Sequence, residues 1–172
     1  MEVMKYAIMV IAVLLAVVSR VRADDLRVGE LAPDFSAPSS DGTTIHLKAI
    51  IGPSPIVLYF YPKDETPGCT KEACGLRDDF AAFRRLKARV FGVSYDSVES
   101  HQKFIAHHQL PFPLLSDSDK KIAKLYHADG LLFAKRMTFV IDRAGRIAWI
   151  NPAVKPATHS AELQAVLQKL AS

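Results

Sequence analysis

The sequence predicts a single α/β domain, a central mixed sheet flanked by helices, and three observations carry that prediction. A length of 172 residues suits one domain at roughly 100 to 200 residues apiece. Short apolar, β-branched runs alternate with segments of helical periodicity, and no repeat, low-complexity stretch or linker interrupts them. A composition of 49% hydrophobic and 23% charged residues supplies a core and argues against disorder. Lys plus Arg outnumber Asp plus Glu by 22 to 18, a net +4, but Lys5, Arg20 and Arg22 less Glu2 hold two of those charges. The other basic residues are dispersed, without the clustered patch and stacking aromatics that nucleic-acid binding requires.

The first residues read as an address. Lys5 precedes thirteen uninterrupted apolar residues, Tyr6 to Val18, followed by Ser19-Arg20-Val21-Arg22-Ala23 and the acidic pair Asp24-Asp25. A bilayer-spanning helix takes roughly 20 apolar residues. The shorter run fits a secretory signal peptide over residues 1–23, cut after Ala23, with an uncleaved membrane anchor as the alternative. The folded domain is then residues 24–172, exported, with the bacterial periplasm as the expected compartment.

The elements follow in order. Asp34-Phe35-Ser36 and Asp41-Gly42-Thr43 suggest an added N-terminal strand or hairpin. Ile56 to Tyr61, bounded by Pro55 and Pro62, suits a strand buried on both faces. Thr66-Pro67-Gly68-Cys69 opens a helix, with Thr66 as N-cap and Pro67 at the first position, running to about Ala88 with Ala73, Leu76, Phe80, Phe83 and Leu86 on its apolar side. Val90–Ser94 is a strand, residues 97 to 108 a helix, Phe112 to Leu115 a short strand and Asp117 to Tyr126 a helix. Thr138–Asp142 and Ile147–Ile150 form a hairpin around a glycine-bearing turn, and a helix over about Ser160 to Leu170 closes the chain. Strand, long helix, strand, helix, hairpin, helix is the order of a thioredoxin-like fold.

The chemistry gathers where the first strand meets the long helix. Cys69 takes the third helical position, where free backbone N–H groups and the positive end of the macrodipole favour an anion, a setting that makes thiols reactive. The alternative is a buried, inert cysteine. Cys74 lies five residues on, which on an ideal helix separates the two Cα atoms by about 8.7 Å. A disulfide needs less than about 7 Å. Bonding Cys69 to Cys74 therefore requires the first turns to unwind, which suits a switch better than a staple. His101, His107 and His108 share one expected helix with no carboxylate or cysteine to complete a metal set, so they read as a solvated face. Lys71 and Glu72 are expected to face solvent, while His46 or His127 is a candidate to approach Cys69.

The run Tyr61-Pro62-Lys63-Asp64-Glu65-Thr66-Pro67-Gly68-Cys69-Thr70-Lys71-Glu72-Ala73-Cys74-Gly75-Leu76-Arg77-Asp78 resembles the active-site segment of peroxiredoxins, close to the peroxiredoxin Q or bacterioferritin comigratory protein branch. The likeness extends from Gly29-Glu30-Leu31-Ala32-Pro33-Asp34-Phe35 through Gly92-Val93-Ser94-Tyr95-Asp96 to Arg136-Met137-Thr138-Phe139-Val140-Ile141-Asp142. It implies a thiol-dependent peroxidase acting on hydrogen peroxide and alkyl hydroperoxides, with no cofactor and no metal. Cys69 would be the peroxidatic nucleophile and Thr66 would orient thiolate and peroxide, while Pro62 walls the pocket. Arg136 would supply a fixed positive charge, with Lys135 as the competing choice. Cys74 would be the resolving cysteine, closing an intramolecular disulfide that a thioredoxin-like dithiol protein reopens. The enzyme is expected to be a monomer. Two other readings stay open: an exported, redox-inert binding domain with a structural Cys69–Cys74 disulfide, and a peroxide sensor that passes oxidation to a partner.

Overall fold

The computed structural model describes residues 26–171, so the leader expected over residues 1–23 lies outside the described residues. The chain forms β1 (Ser36–Pro38), β2 (Thr44–His46), α1 (Leu47–Ile50), β3 (Ile56–Phe60), α2 (Pro67–Asp78), α3 (Phe80–Arg85), β4 (Arg89–Ser94), α4 (Val98–His108), β5 (Leu114–Ser116), α5 (Lys121–Leu125), β6 (Met137–Ile141), β7 (Ile147–Asn151) and α6 (His159–Ala171). β1 and β2 make a small antiparallel hairpin, the added N-terminal element that the sequence suggests. The other five strands form one mixed sheet in the order β5-β4-β3-β6-β7. β3, β4 and β5 are parallel, β6 is antiparallel to β3, and β7 is antiparallel to β6.

The period-2 geometry of β3 divides the interior. Ile56, Leu58 and Phe60 enter one core with Phe35, Ile122, Tyr126 and Phe139. Val57, Tyr59 and the following Tyr61 enter the other, against Leu76 of α2, Phe83 of α3, Phe104 of α4, and Leu163 and Leu167 of α6. All five β3 residues are buried, which explains why this strand reads as a continuous apolar run rather than an alternating one. Gly92 on β4 stands in register with Tyr59. A Cβ there would come within 2.7 Å of the Tyr59 ring and hydroxyl and 2.6 Å of Leu114, so only glycine lets Tyr59 lie flat against β4. A parallel β3–β4 pair needs a crossover connection, here α2 and α3, and that connection begins at the carboxyl end of β3, where ligands collect in sheets of this kind.

Three elements differ from the sequence reading by more than one residue. The helix expected to run from Thr66 to about Ala88 is two helices, because the backbone leaves helical geometry at Asp79 (φ −95°, ψ 8°). There the Asp79 carboxylate accepts a hydrogen bond from Ser160 of α6 (2.6 Å), a tertiary contact that periodicity does not carry. β5 starts at Leu114 rather than Phe112, since Pro113 has no N–H for the ladder. The helix expected from Asp117 is shortened to α5, and the Asp117 carboxylate instead accepts from the N–H groups of Ile122 and Ala123 (2.9 and 2.8 Å).

Candidate active site

β3 delivers the chain to a turn that is fixed from beneath. The Tyr61 hydroxyl donates to Asp64 Oδ1 (2.7 Å), and Ser100 Oγ and His101 Nδ1 meet Asp64 Oδ2 (2.7 and 2.9 Å). The Asp64 N–H donates to Asp96 Oδ2 (3.0 Å). Burial opposes ionisation of Asp64, but the bonds from His101, Tyr61 and Ser100 outweigh it and hold the carboxyl below its ordinary pKa. Glu65 then takes a left-handed conformation (φ 60°) that reverses the chain, and Thr66 and Pro67 start α2.

Thr66 occupies the N-cap position as expected, but its side chain does not cap. Its hydroxyl donates to the Lys63 carbonyl (2.9 Å), and the first intrahelical bond runs from Thr70 N–H to Thr66 C=O (2.8 Å). The N–H groups of Gly68 and Cys69 therefore have no carbonyl of their own helix to bond. Cys69 sits at the third position with its side chain buried, and its thiol is free.

Arg136, just before β6, reaches this helix start from 67 residues away and brings Nη2 to 3.3 Å from Cys69 Sγ. Gly68 makes room for it, since a Cβ there would lie 3.3 Å from the same nitrogen. The other arm of the fork, Nη1, pairs with Glu72 Oε2. Half-burial works against the guanidinium charge, yet Glu72 and the Cys69 sulfur more than compensate, and the pKa of Arg136 lies above its ordinary value. Glu72 Oε1 lies 2.9 Å from His159 Nδ1, off the line of a hydrogen bond, and His159 Nε2 meets the Thr138 hydroxyl at 3.0 Å. Thr138, His159, Glu72, Arg136 and Cys69 thus form one chain of polar contacts from β6 to the head of α2. Tyr59 flanks it with an unpaired hydroxyl, and burial, together with Glu72, Asp64 and Cys69, raises its pKa far enough to keep it neutral.

Of the residues singled out from sequence, Cys69, Arg136 and Thr66 come together at the head of α2, and Pro62 lies two residues past the end of β3. Lys135 does not join them; it is exposed and its ammonium donates to the His127 carbonyl (3.3 Å). Cys74 is a free, half-buried thiol on α2, with unbroken helix between it and Cys69. Lys71 is exposed as expected, but Glu72 is not: it is 1% exposed and bridges Arg136 and His159. Its burial was detectable, since Cys69, Glu72, Ala73 and Leu76 follow the i, i+3, i+4, i+7 stripe of one helix face. His101 is no part of a solvated face either, being fully buried against Asp64 and the Leu115 carbonyl. His107 and His108 remain near the surface, but a carboxylate does reach them, that of Glu65 (3.1 and 3.0 Å). His46 is taken up by Ser36 in the small hairpin (2.7 Å), and it is His159 rather than His46 or His127 that reaches the site through Glu72.

Residues 28–150 match the AhpC/TSA family model. The chain belongs to the AhpC/TSA family of peroxiredoxins. It is 44% identical over 155 residues to a putative peroxiredoxin bcp of Helicobacter pylori, covering 86% of this chain and 99% of that protein. It is 33% identical to the peroxidoxin BcpB of Mycobacterium tuberculosis, whose crystal structure superposes with a TM-score of 0.81 over 86% of this chain and 99% of that one. The bacterioferritin comigratory protein of Xanthomonas campestris, whose structures were described in connection with alkyl peroxide reduction, gives 32% identity and a TM-score of 0.78 over 86% and 98% of the two chains. These likenesses confirm the thioredoxin-like single-domain fold of a peroxiredoxin and support thiol peroxidase activity.

Proposed function

We propose that this peroxiredoxin reduces hydrogen peroxide and alkyl hydroperoxides with Cys69 as nucleophile and Cys74 as resolving cysteine. The observation that carries the reading is Arg136 Nη2 at 3.3 Å from a buried cysteine sulfur at the head of a helix. The Cys69 thiolate attacks the terminal oxygen of the peroxide. An S–O bond forms, the O–O bond breaks, and the leaving alkoxide or hydroxide takes a proton to depart as alcohol or water. Arg136 and the N–H groups at the helix start stabilise negative charge before and after transfer. Thr66, whose own proton is committed to Lys63, has lone pairs left to accept the O–H of the peroxide. Pro62 closes the wall at the end of β3 and limits the access of water.

The resulting Cys69 sulfenic acid condenses with the Cys74 thiol, releasing water and forming the disulfide. Because residues 67–78 are one helix, this step requires local unwinding of α2. A dithiol reductant of the thioredoxin type then restores both thiols by exchange. With a leader over residues 1–23 that carries a thirteen-residue apolar run, we place this cycle in an exported compartment, served by a thioredoxin-like protein on that side of the membrane.

The test is intact mass of the reduced mature protein seconds after one equivalent of hydrogen peroxide, beside Cys69→Ser and Cys74→Ser. The expected pattern is loss of two hydrogens in the wild type, one added oxygen in Cys74→Ser and no change in Cys69→Ser. Thiols still unreacted after minutes in the wild type would overturn the assignment.

A further inference from the structure

Glu65, His107 and His108 lie outside the peroxidatic site, and their side chains converge from two elements. Glu65 belongs to the turn that precedes α2, and the histidines form the last turn of α4. One carboxylate oxygen meets His107 Nδ1 at 3.1 Å and the other meets His108 Nε2 at 3.0 Å. The three ligand atoms all lie within 4.8 Å of one another. Zinc binds His nitrogen and carboxylate oxygen at about 2.0 to 2.2 Å, so two ligands in tetrahedral array stand about 3.3 Å apart. Each histidine stands within a few tenths of an ångström of that separation from its own oxygen of the carboxylate, and one oxygen with both imidazoles stays inside the 4.8 Å span. The group is reachable, with the His107 side chain 69% exposed and Glu65 47%. It is also held in place: the His108 ring packs edge-on against buried Phe104 at 5.0 Å between centroids. Glu65 is a non-glycine residue at φ 60°, fixed between Asp64 and the start of α2.

The same end of α4 touches the far side of the cysteine segment. Arg77, three residues beyond Cys74, donates from Nη1 to the His108 carbonyl (2.8 Å). His108 thus contacts the chain both before Cys69 and after Cys74. Unwinding the first turns of α2 to bring the two sulfurs together must proceed between these two attachments.

We infer that Glu65, His107 and His108 form a three-ligand site for a borderline transition-metal cation of the Zn²⁺ class, and that the bound ion slows Cys69–Cys74 disulfide formation by clamping the turn before α2 to α4. Two imidazoles and one carboxylate select such ions over Mg²⁺ and Ca²⁺, which take all-oxygen shells. Three protein ligands leave a fourth position for a water ligand. The metal site stands independently of the reaction proposed above, whereas the effect on disulfide formation rests on it.

The experiment separates the two. Zn²⁺ binding is measured by calorimetry at neutral pH on the Cys69→Ser/Cys74→Ser protein, so that no thiol competes. One equivalent should bind, and adding His107→Ala or His108→Ala should weaken it at least about tenfold, the lower end of what even an outer-shell partner of a ligand contributes. No binding, or equal affinity without either histidine, overturns the site whatever the peroxidase does. The rate of disulfide formation after peroxide is then followed by mass in the cysteine-intact protein with and without Zn²⁺. Zinc should slow it severalfold in the wild type and leave His107→Ala/His108→Ala unchanged, each protein being compared with its own metal-free rate. Equal slowing in both would assign the effect to the thiols and overturn the clamp.

Discussion

Replacing Arg136 by Lys and by Ala separates what its charge does from what its shape does. The guanidinium serves two partners with two nitrogens, Nη1 to Glu72 and Nη2 to Cys69 Sγ at 3.3 Å. At an effective dielectric of about 20, a unit positive charge at that distance attracts a unit negative charge on the reacting atoms by about 5 kcal/mol. Lysine keeps the charge but offers one centre, which Glu72 will take, leaving the ammonium about 5 Å from the sulfur and the attraction near 3.3 kcal/mol. The difference of about 1.7 kcal/mol corresponds to a roughly tenfold to twentyfold slower reaction with peroxide. Alanine removes the whole attraction and strands the Glu72 carboxylate in the interior, so the loss should be a hundredfold or more, at about 1.4 kcal/mol for each factor of ten. Adding Glu72→Gln to Arg136→Ala should recover folding stability but not the rate, because the stranded charge disappears while the sulfur still lacks its cation. The rate is read by rapid quench and alkylation of Cys69 under excess peroxide, and the fold by thermal unfolding. A Lys variant within twofold of wild type, or Lys and Ala variants equally slow, would refute this account of Arg136.

Two further perturbations test the frame around the site. Gly92→Ala places a methyl group within 2.7 Å of Tyr59 and should lower the unfolding free energy by about 1 to 3 kcal/mol in urea titrations, as overpacking does elsewhere; an unchanged midpoint would mean that Tyr59 moves freely. Asp64→Asn replaces an acceptor of bonds from Tyr61, Ser100 and His101 and should cost about 2 to 3 kcal/mol at neutral pH. Since the folded carboxyl sits below its ordinary value of 3.8, its contribution is complete above that pH and is lost as pH falls through the lower folded value. The gap between wild type and Asp64→Asn should narrow in acid; a gap that widens there would reverse the sign and exclude Asp64 as the ionised acceptor.

Much of this molecule is local and therefore written in the order of its residues. Ile56 to Phe60 is a doubly buried strand because nothing polar interrupts it, and Pro62 and Pro67 mark where it stops and where the helix starts. Cys69 at the third helical position, Thr66 before it and Cys74 five residues later need only the spacing of a helix to be placed. The break at Asp79 is not legible, and the tertiary contact that accompanies it comes from Ser160, 81 residues away. Glu72 reads as a solvated first-turn residue when its charge is weighed above its periodicity. Its stripe position was the better guide, but nothing local names a partner that makes its burial tolerable.

What the sequence determined by itself is the α/β domain, the strand-to-helix corner, and the cysteine at its apex, all consequences of hydrophobic period and backbone geometry over a few residues. What only the tertiary structure decided is the company each charge keeps. Arg136 rather than Lys135 faces the sulfur, Glu72 and His159 stand behind the arginine, His101 is buried on Asp64, and Glu65 meets His107 and His108. The reason is physical: propensity and periodicity act between neighbours along the chain. A buried charge is stabilised only by a partner within a few ångströms in space, and here those partners are 37 to 87 residues apart in sequence, a separation that only the packed sheet closes.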